Sequence, residues 1–543
     1  MNDAIKPLFD PAGAFSAADL ARVLTAVPPA DRADIVRDTL ASAYAAFHKS
    51  SGRTAKAYAA PGLENLHLAR ILHTLGSALE RASLPSASPR LSPSAARSLV
   101  ANACAVLPPA VLFWLESIGL PAPSPARSPS SSALSSAAWP RLARDAAFET
   151  IGRTIVLTRT GRATSPRNAL RADEIIWGRS PARLDLGGGW SDTPPYSLEH
   201  GGCVINAAVD LNGQPPIQVF ARVIEAPEIR INSIDHGSRL TVRTFDELLD
   251  YRTATSQFGL AKAALTLSGF APHTAPWPPA ARRSLSSMLR HFGGGIELNT
   301  LAAIPSGSGL GTSSIMGAVL VAVIRRMIGD RPSERELFHA VLKLEQELTT
   351  GGGWQDQIGG VLPGVKVITS GPGLVPDPWI HYVMPDLLDP RLNGGATLLY
   401  YTGIRRLAKN ILRYVVGNYL DRDASALDTL QALSAYPAEM REAMAAKDPR
   451  AFGRLIDVAW LLNKRIDPDS TTPDIEAILA RIRPHVHGAK LLGAGGGGFL
   501  LIAGKSPKDA AAVRRGLTAH PPNARARFFD YQISGCGLTV TVC

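Results

Sequence analysis

A loop rich in glycine and serine, residues 305–314, holds the residue types that point most directly to chemistry. A strand-like segment at 296–302 precedes the loop, and the apolar helical pattern TSSIMGAVLVAVI follows it. This arrangement directs backbone N–H groups and the positive end of a helix at one point, which is an anion site. We therefore predict that phosphate groups bind to Pro305, Ser306, Gly307, Ser308, Gly309, Leu310, Gly311, Thr312, Ser313 and Ser314.

Two other interpretations of this loop compete with phosphate binding. A P-loop is excluded, because the sequence lacks the GK[ST] ending of that motif. A glycine-rich turn with a helix cap remains an alternative, but the length of the loop and the apolar helix behind it favour phosphate. The hydroxyls of Thr312, Ser313 and Ser314 could add a magnesium ligand or phosphate contacts.

Two further glycine runs lie before and after this loop in the chain. In SPARLDLGGGWSDTPPY, residues 180–196, a short strand enters three glycines, and a tight turn or a close approach to a ligand explains the run equally well. In KLLGAGGGGFLLIAG, residues 490–504, apolar strands flank the glycines. No helix follows this last run, so it is not a dinucleotide-binding fingerprint. It predicts a backbone that passes close to a ligand or to another loop.

The elements that must position these motifs fall into three zones. Residues 1–120 place apolar residues at helical spacing and predict a helical N-terminal region. Residues 121–145 are rich in Ser, Pro and Ala and predict a linker, because they can bury too little apolar surface to offset their ordering entropy. Strands and helices mix from about residue 170 onward, and a capping box of Ser333 and Glu336 predicts the start of one helix.

The composition is that of a globular protein and excludes several classes of function. Apolar residues make up 45% and charged residues 19% of the chain. The length of 543 residues predicts two to four domains. The four cysteines form no CxxC pair, which argues against a disulfide framework or a zinc site. The N-terminus is not a signal peptide, and the longest apolar run, Ile315 to Ile324, is about half of a membrane span. We therefore expect a cytoplasmic protein with no membrane partner.

The chain is basic, with a formal net charge of +11. Its Lys and Arg residues are scattered, and RNP-like and Cys/His signatures are missing, so we expect no nucleic-acid partner. A basic chain can instead attract an acidic small-molecule substrate such as a nucleotide.

In their order and rough spacing, the three glycine motifs resemble the signature motifs of the GHMP kinases. The segments LNGQPPIQV, KAALTLSGFAP and LLYYTGIRRLAKNIL are similar to the L-fucokinase branch of that family. The resemblance covers about residues 170–543 and implies an α+β, two-lobed GHMP kinase fold, preceded by the helical region. A ribosomal S5 domain 2-like lobe with a left-handed βαβ-type unit would occupy 170–375, and a ferredoxin-like lobe would occupy 376–543.

The resemblance also implies roles for individual residues. Asp356, in the segment LEQELTTGGGWQDQIGG, would be the catalytic base that accepts a proton from the acceptor hydroxyl, with Arg183 as the cation beside it. Glu345 would bind Mg²⁺ together with Thr312 or Ser313. ATP would be the phosphoryl donor, and L-fucose would be the acceptor at its anomeric hydroxyl.

On the sugar side the resemblance implies contacts from Asp192, Trp190, Gly353 and Gly495. Galactokinase-like members carry a Glu-His pair just ahead of the aspartate, whereas this chain has Gly189 and Trp190. The sugar must therefore be held differently, and we expect Trp190 to pack on the C6 methyl group of a deoxysugar.

Two alternatives to an L-fucokinase remain open at this point. One is another sugar kinase of the family, such as a heptose-7-phosphate kinase. The other is a nucleotide-binding regulator that kept the fold and lost the chemistry, although Asp356, Arg183 and Glu345 are all present. The chain has no room for a separate guanylyltransferase domain, so we expect a stand-alone kinase that supplies L-fucose 1-phosphate for GDP-fucose synthesis.

Overall fold

The computed structural model describes residues 17–26, 64–83, 138–156, 165–253, 256, 258–305, 307–348, 351–404 and 409–543. The chain divides into two compact units. The first comprises Met1–Arg159 and Arg413–Asp428, and the second comprises Thr160–Leu412 and Thr429–Cys543. The three glycine motifs all lie in the second unit.

The first unit is helical in its described part. It contains α1 (Ala17–Ala26), α2 (Glu64–Ser83) and α3 (Ala138–Val156). In α2, residues 69–78 are buried without interruption, and Leu66, Ala69, Leu72 and Leu75 are among its buried apolar side chains. Helix α3 packs against this helix, and Arg144 of α3 forms an ion pair with Glu80.

Helix α3 corrects the predicted linker at its C-terminal end. The helix begins at Ala138, so residues 138–145 are helical and the Ser- and Pro-rich composition ends earlier than we expected. Residues 121–137 and the helical pattern at 34–50 lie outside the described residues.

The remaining elements follow in chain order. The strands are β1 (Ile176–Ser180), β2 (Ala182–Gly187), β3 (Gly202–Leu211), β4 (Ile217–Ile224), β5 (Ile229–Ser233), β6 (Ser238–Val242), β7 (Gly295–Ala302), β8 (Val365–Ser370), β9 (Pro378–Val383), β10 (Thr397–Tyr401), β11 (Val486–Leu491), β12 (Phe499–Gly504), β13 (Arg527–Phe529), β14 (Tyr531–Ile533) and β15 (Thr539–Val542). The helices are α4 (Tyr196–His200), α5 (Phe245–Leu249), α6 (Gly259–Leu267), α7 (Leu285–Phe292), α8 (Thr312–Met327), α9 (Glu334–Glu347), α10 (Gln355–Val361), α11 (Lys409–Leu420), α12 (Ala424–Ala445), α13 (Pro449–Ile466), α14 (Pro473–Ile482) and α15 (Pro507–Ala519).

A six-stranded sheet with the order β15-β1-β4-β7-β5-β6 forms one layer of the second unit. Its pairs are antiparallel except β5 and β7, which are parallel and need the crossover that α5, α6 and α7 provide. Helix α8 lies on this sheet. Gly178 of β1 makes room for the helix, because a methyl group there would lie 2.7 Å from Val319 and 2.4 Å from Val323.

The second sheet has the order β14-β3-β8-β9, with β2 paired to the other part of β3. The third sheet has the order β11-β12-β10-β13. In chain order its strands and the helices between them form a β-α-β-β-α-β arrangement, which is the ferredoxin-like pattern. The α+β class and the ferredoxin-like C-terminal portion are therefore confirmed.

Strand pairing crosses the predicted lobe boundary at 375/376. Strand β9 pairs with β8, and the late strands β14 and β15 return to pair with β3 and β1. Sequence patterns could not reveal this, because a strand's own residues do not identify its partner strand.

Two local predictions about helices are confirmed. Helix α8 begins at Thr312, and its Ile315–Ile324 segment is buried throughout. The capping box forms at the start of α9, where Ser333 accepts a hydrogen bond from the N–H of Glu336 and the Glu336 side chain accepts one from the N–H of Ser333. None of the helices that the structure describes is long and apolar enough to cross a lipid bilayer.

Candidate active site

The second and third glycine motifs lie directly against each other. Gly309, at φ 78°, approaches Leu492 so closely that a methyl group on Gly309 would lie 2.2 Å from the Leu492 carbonyl oxygen. The N–H of Phe499 donates a 3.0 Å hydrogen bond to the carbonyl of Ser308. The glycines at 493–498 therefore let the backbone pass close to another loop, which was one of the two interpretations of that run.

The first motif reaches the same place through strand β2. The N–H of Arg183 donates to the carbonyl of Leu310 at 3.2 Å, which joins β2 to the loop before α8. A cavity of about 320 Å³ opens where these segments meet. Its lining residues are Arg183, Asp185, Gly189, Trp190, Asp192, Thr193, Gly309, Gly311, Ser313, Ser314, Glu345, Gly352, Gly353, Gln355, Asp356, Leu412, Asn463, Gly493 and Ala494.

Asp356 lies in the first turn of α10 and lines this cavity. Its carboxylate forms an ion pair with the guanidinium of Arg183. Gly311, the N-cap residue of α8, lies beside it, and a methyl group on Gly311 would lie 3.1 Å from Cγ of Asp356. The structure thus brings the carboxylate of Asp356 to the N-terminus of α8, where unpaired backbone N–H groups favour an anion.

Arg183 is almost completely buried on β2. Burial lowers the pKa of its guanidinium, and the carboxylates of Asp185 and Asp192 oppose that effect. The guanidinium remains charged, because arginine does not lose its proton in proteins. Within the described part of the chain, Nε and Nη1 of Arg183 have no hydrogen-bond partner. These N–H groups are donors that a further anion could satisfy.

Glu345 and Ser314 form the oxygen-rich side of the cavity. Oγ of Ser314 donates a 2.8 Å hydrogen bond to Oε1 of Glu345, and both side chains are buried. Ser313 is exposed and also lines the cavity, whereas Thr312 does not line it and its hydroxyl is buried. The structure therefore brings Ser313 and Ser314 to Glu345 and leaves Thr312 out. Helix α8 begins at Thr312, and its first turn rotates Thr312 away from the cavity.

Asp192 is a further buried carboxylate in the lining of the cavity. Its Oδ2 accepts a 2.9 Å hydrogen bond from the backbone N–H of Gln355. Burial raises the pKa of Asp192 to about 6, although that hydrogen bond and Arg183 oppose the rise. Gly353 lies against it, since a methyl group there would lie 2.1 Å from Oδ2. Trp190 is half-buried in the same wall.

One residue for which a sugar contact was predicted, Gly495, does not line the cavity. Gly495 packs against the backbone of Ser470 and does not line the cavity, whereas Gly493 and Ala494 of the same motif do. A run of glycines looks alike at every position, so the sequence could not indicate which member faces a ligand.

The chain is similar to known proteins in the segments that form this site. The family descriptions "GHMP kinases N terminal domain" and "GHMP kinases C terminal" match residues 280–364 and 440–523. The first of these contains the loop at 305–314 and Asp356. The chain belongs to the GHMP kinases.

Two curated relatives of this GHMP kinase carry fucokinase in their names. One is an L-fucokinase/L-fucose-1-P guanylyltransferase of Bacteroides fragilis, 42% identical over 396 residues that make up 73% of this chain and 41% of the relative. The other is a bifunctional fucokinase/GDP-fucose pyrophosphorylase of Arabidopsis thaliana, 33% identical over 67% of this chain and 34% of the relative. This chain thus spans between a third and a half of the length of these relatives.

A solved structure supports the fold independently of these sequences. The galactokinase of Lactococcus lactis complexed with galactose is 17% identical, with a TM-score of 0.51 over 68% of this chain and 95% of the galactokinase. At that identity the likeness shows the fold alone. It agrees with the GHMP kinase fold expected from the motifs.

Some side chains of this GHMP kinase site were missed by sequence reasoning. Asp185 and Lys490 form a buried ion pair at 3.0 Å, and Nε2 of Gln355 donates to Asp185 at 3.1 Å. Lys366 donates to the carbonyls of Gly359 and Gly364, and burial, helped by Arg183, lowers its pKa to about 7. The one indication in the sequence was that Arg183 and Asp185 are two residues apart on a strand, so their side chains lie on the same face.

Other predicted residues lie outside the description. Ser306 of the predicted phosphate loop is one of them. Pro305, Gly307, Ser308 and Leu310 are described, but they do not line the cavity. The cavity-lining members of the loop are Gly309, Gly311, Ser313 and Ser314.

Proposed function

We propose that this GHMP kinase transfers the γ-phosphoryl group of ATP to the anomeric hydroxyl of L-fucose, giving ADP and L-fucose 1-phosphate. One observation carries the proposal. The carboxylate of Asp356, paired with Arg183, lies at the N-terminus of α8 in the same cavity as Asp192 and Trp190. A proton acceptor, a phosphate-binding helix start and polar groups for a sugar are therefore close together.

In the proposed reaction the anomeric oxygen attacks the γ-phosphorus. A bond forms between that oxygen and phosphorus, the bond to the β,γ-bridging oxygen breaks, and ADP leaves. The proton of the hydroxyl passes to Asp356. Arg183 stabilises the negative charge that the phosphoryl group carries in the transition state, because its guanidinium is fixed and buried. Asp192 accepts hydrogen bonds from other sugar hydroxyls and orients the ring.

The residues on the oxygen-rich side fit a magnesium ion. Among the described residues no group of three or more His, Cys, Asp or Glu side chains could hold a metal ion. Magnesium needs no such cage, since it is commonly held by one or two carboxylates together with substrate phosphates and water. We propose Glu345 as that carboxylate and the hydroxyls of Ser313 and Ser314 as its neighbours. The ion would neutralise phosphate charge.

The choice of L-fucose rests on the names of the curated relatives and on the cavity wall. Both relatives combine a fucokinase with a second activity, and the matched part of each corresponds to this chain. Trp190 and Leu412 offer apolar surface in the cavity. An apolar wall suits the C6 methyl group of a 6-deoxysugar better than a hydroxymethyl group. A kinase that consumes ATP needs a compartment that supplies it, so we also propose a cytoplasmic location.

A substrate panel tests the proposal. The purified chain would be incubated with ATP and Mg²⁺ and with L-fucose, L-galactose, D-mannose or D-glycero-D-manno-heptose 7-phosphate, and ADP release would be measured. We expect L-fucose to have the highest kcat/KM and L-galactose, its 6-hydroxy counterpart, to follow. If the heptose 7-phosphate were turned over fastest, the result would contradict the proposal and support the alternative of a heptose-7-phosphate kinase.

Asp356→Asn supplies the matched control for this panel. The variant should lose a hundredfold or more of kcat, roughly the range of general-base catalysis, while calorimetry still detects ATP binding. If neither protein turned over any sugar and both bound ATP equally well, the chain would be a nucleotide-binding regulator instead.

A further inference from the structure

Asp185 has both carboxylate oxygens occupied by partners from distant parts of the second unit. Oδ1 accepts a 3.1 Å hydrogen bond from Nε2 of Gln355 in α10, and Oδ2 accepts a 3.0 Å bond from Nζ of Lys490 in β11. The side chain of Lys490 is fully buried and that of Asp185 is 5% exposed. The pair thus connects the first glycine motif to the third and to the helix that carries Asp356.

Arg183 lies on the same face of β2 as Asp185, two residues before it. Three carboxylates act on the Arg183 guanidinium: Asp356, with which it forms an ion pair, and Asp185 and Asp192. Burial alone would raise the pKa of Asp185, but Lys490 and Arg183 outweigh burial and hold that pKa below its usual value. Asp185 is therefore a full negative charge next to Arg183, and Lys490 compensates it.

Removing Lys490 would change which carboxylate the guanidinium of Arg183 pairs with. An uncompensated buried carboxylate is strongly unfavourable and attracts a cation. Arg183 is the cation besides Lys490 that acts on the pKa of Asp185. A shift of the guanidinium toward Asp185 would weaken its pairing with Asp356 and move it from the phosphoryl group. Even a displacement of about 1 Å at such a centre costs a large factor in rate.

We propose that Lys490 is a positioning residue for phosphoryl transfer. By neutralising the charge of Asp185, it keeps the guanidinium of Arg183 paired with Asp356. The inference rests on the proposed function, because the chemistry assigned to Arg183 and Asp356 is part of it. Lys490 does not line the cavity and acts through Asp185 and Arg183.

The titratable and charged groups that face this pair come from several elements. Around Asp185 and Arg183 these groups are Asp192, Asp356, Lys366, Tyr436 and Lys490. Lys490 is the one cation of this group that is hydrogen-bonded to Asp185. Its removal would therefore leave the negative charge of Asp185 uncompensated.

Two variants test the proposal, Lys490→Met and Asp185→Asn/Lys490→Met. Methionine keeps most of the lysine stem, and asparagine keeps an oxygen for Gln355 while removing the competing charge. In Lys490→Met we expect kcat to fall about tenfold or more. The acid limb of the pH profile of kcat, measured at saturating sugar so that the effect of Asp192 on sugar KM does not enter, should move up by about one pH unit, because Asp356 loses its cation. In the double variant we expect kcat to recover at least threefold relative to Lys490→Met, and the acid limb to return toward its wild-type position.

Lys262→Met is a control with similar burial. Lys262 is 3% exposed and pairs with Asp250 at 2.6 Å, but it does not line the cavity. Its loss should lower Tm and leave the acid limb where it is. All assays would be run at least 15 °C below the Tm of each variant, so that a loss of folded protein does not count as a loss of kcat.

The outcomes separate a positioning role of Lys490 from a structural role and from a failure of the proposed function. An unmoved acid limb in Lys490→Met, or no recovery in the double variant, would overturn the positioning role and leave a merely structural ion pair. If Lys490→Met does not fold, a tenfold or greater loss of kcat in the folded double variant would also overturn it. Absence of turnover in wild type with every sugar would instead overturn the proposed function, so the two failures can be told apart.

Discussion

Oγ of Ser314, in the first turn of α8, donates a 2.8 Å hydrogen bond to Oε1 of Glu345, near the end of α9. The bond fixes one carboxylate oxygen of Glu345. It also places Ser314, rather than Thr312, beside the only acid proposed to hold magnesium.

Ser314→Ala should therefore raise the Mg²⁺ concentration needed for half-maximal activity. The hydroxyl orients Glu345, and the loss of such orienting partners typically costs about 10- to 100-fold in metal affinity or activity. Thr312→Val should leave the Mg²⁺ requirement unchanged, because its hydroxyl does not line the cavity. Titrations of Mg²⁺ at saturating ATP and sugar would check both. A stronger effect of Thr312→Val would favour the assignment made from the sequence.

Sugar binding should weaken as the pH falls through about 6. Burial raises the pKa of Asp192 to about 6, so below that pH the group is protonated and loses part of its ability to accept hydrogen bonds from sugar hydroxyls. We expect KM for the sugar to rise between pH 7 and pH 5 while KM for ATP changes little. Initial-rate measurements across that range test this. A sugar KM that is independent of pH would remove Asp192 from the binding site.

The same raised pKa predicts a stabilising substitution. An aspartate pKa of 3.8 in the unfolded chain and about 6 in the folded chain means that the folded state holds its proton more tightly. Stability then falls as pH rises from about 4 to 6, and the cost persists above 6. An asparagine at this position cannot ionise. At pH 7.5 the free energy of unfolding of Asp192→Asn should therefore exceed that of wild type by up to about 3 kcal/mol, while the variant loses activity. Denaturant unfolding of both proteins at pH 7.5 and pH 4 would check the sign.

Trp190→Ala should raise KM for L-fucose about tenfold or more, because an aromatic face worth roughly 1.5 kcal/mol is lost from the sugar wall. KM for ATP should stay near the wild-type value. Trp379→Ala is a suitable control, since that side chain is 74% exposed on β9. An unchanged KM for fucose in Trp190→Ala would show that the ring does not pack on the sugar.

Gly309→Ala should disturb the nucleotide loop far more than an equivalent change elsewhere. Both Gly309 and Gly213 have φ close to 80°, so alanine costs roughly 1–2 kcal/mol of backbone strain at either position. At Gly309 the new methyl group would also lie 2.2 Å from the carbonyl of Leu492, whereas at Gly213 it would meet nothing within 4 Å. We expect Gly309→Ala to lose most ATP affinity and Gly213→Ala to keep it. Equal affinities would mean that the loop does not bind ATP.

The resemblance of two short motifs to those of the GHMP kinases was enough to expect Arg183 beside Asp356, and the two form an ion pair. Their catalytic roles stay a prediction. Local signals were equally informative for α8 and for the capping box of α9, where neighbours in the chain are neighbours in space. Helical phase, however, was too coarse to select Ser314 over Thr312, since one residue turns a helix by 100°.

Pairings between distant segments could not be predicted in this way. Asp185 and Lys490 are 305 residues apart, and each alone is an ordinary charged residue in a strand. Their partnership depends on which strands and loops meet in the folded chain. The same holds for β9 and β14, whose own residues give no sign that they join the sheet of β3 and β8.

The return of β15 to β1 bears on how the polypeptide folds as it is made. Residues 176–179 pair with residues 539–542, so the six-stranded sheet is completed only after nearly all of the intervening chain has left the ribosome. Until then β1 exposes unpaired backbone groups along one edge, which invites pairing with the wrong strand. Nascent chains of this protein, and fragments that stop before residue 539, should therefore depend on chaperones more than the finished protein does.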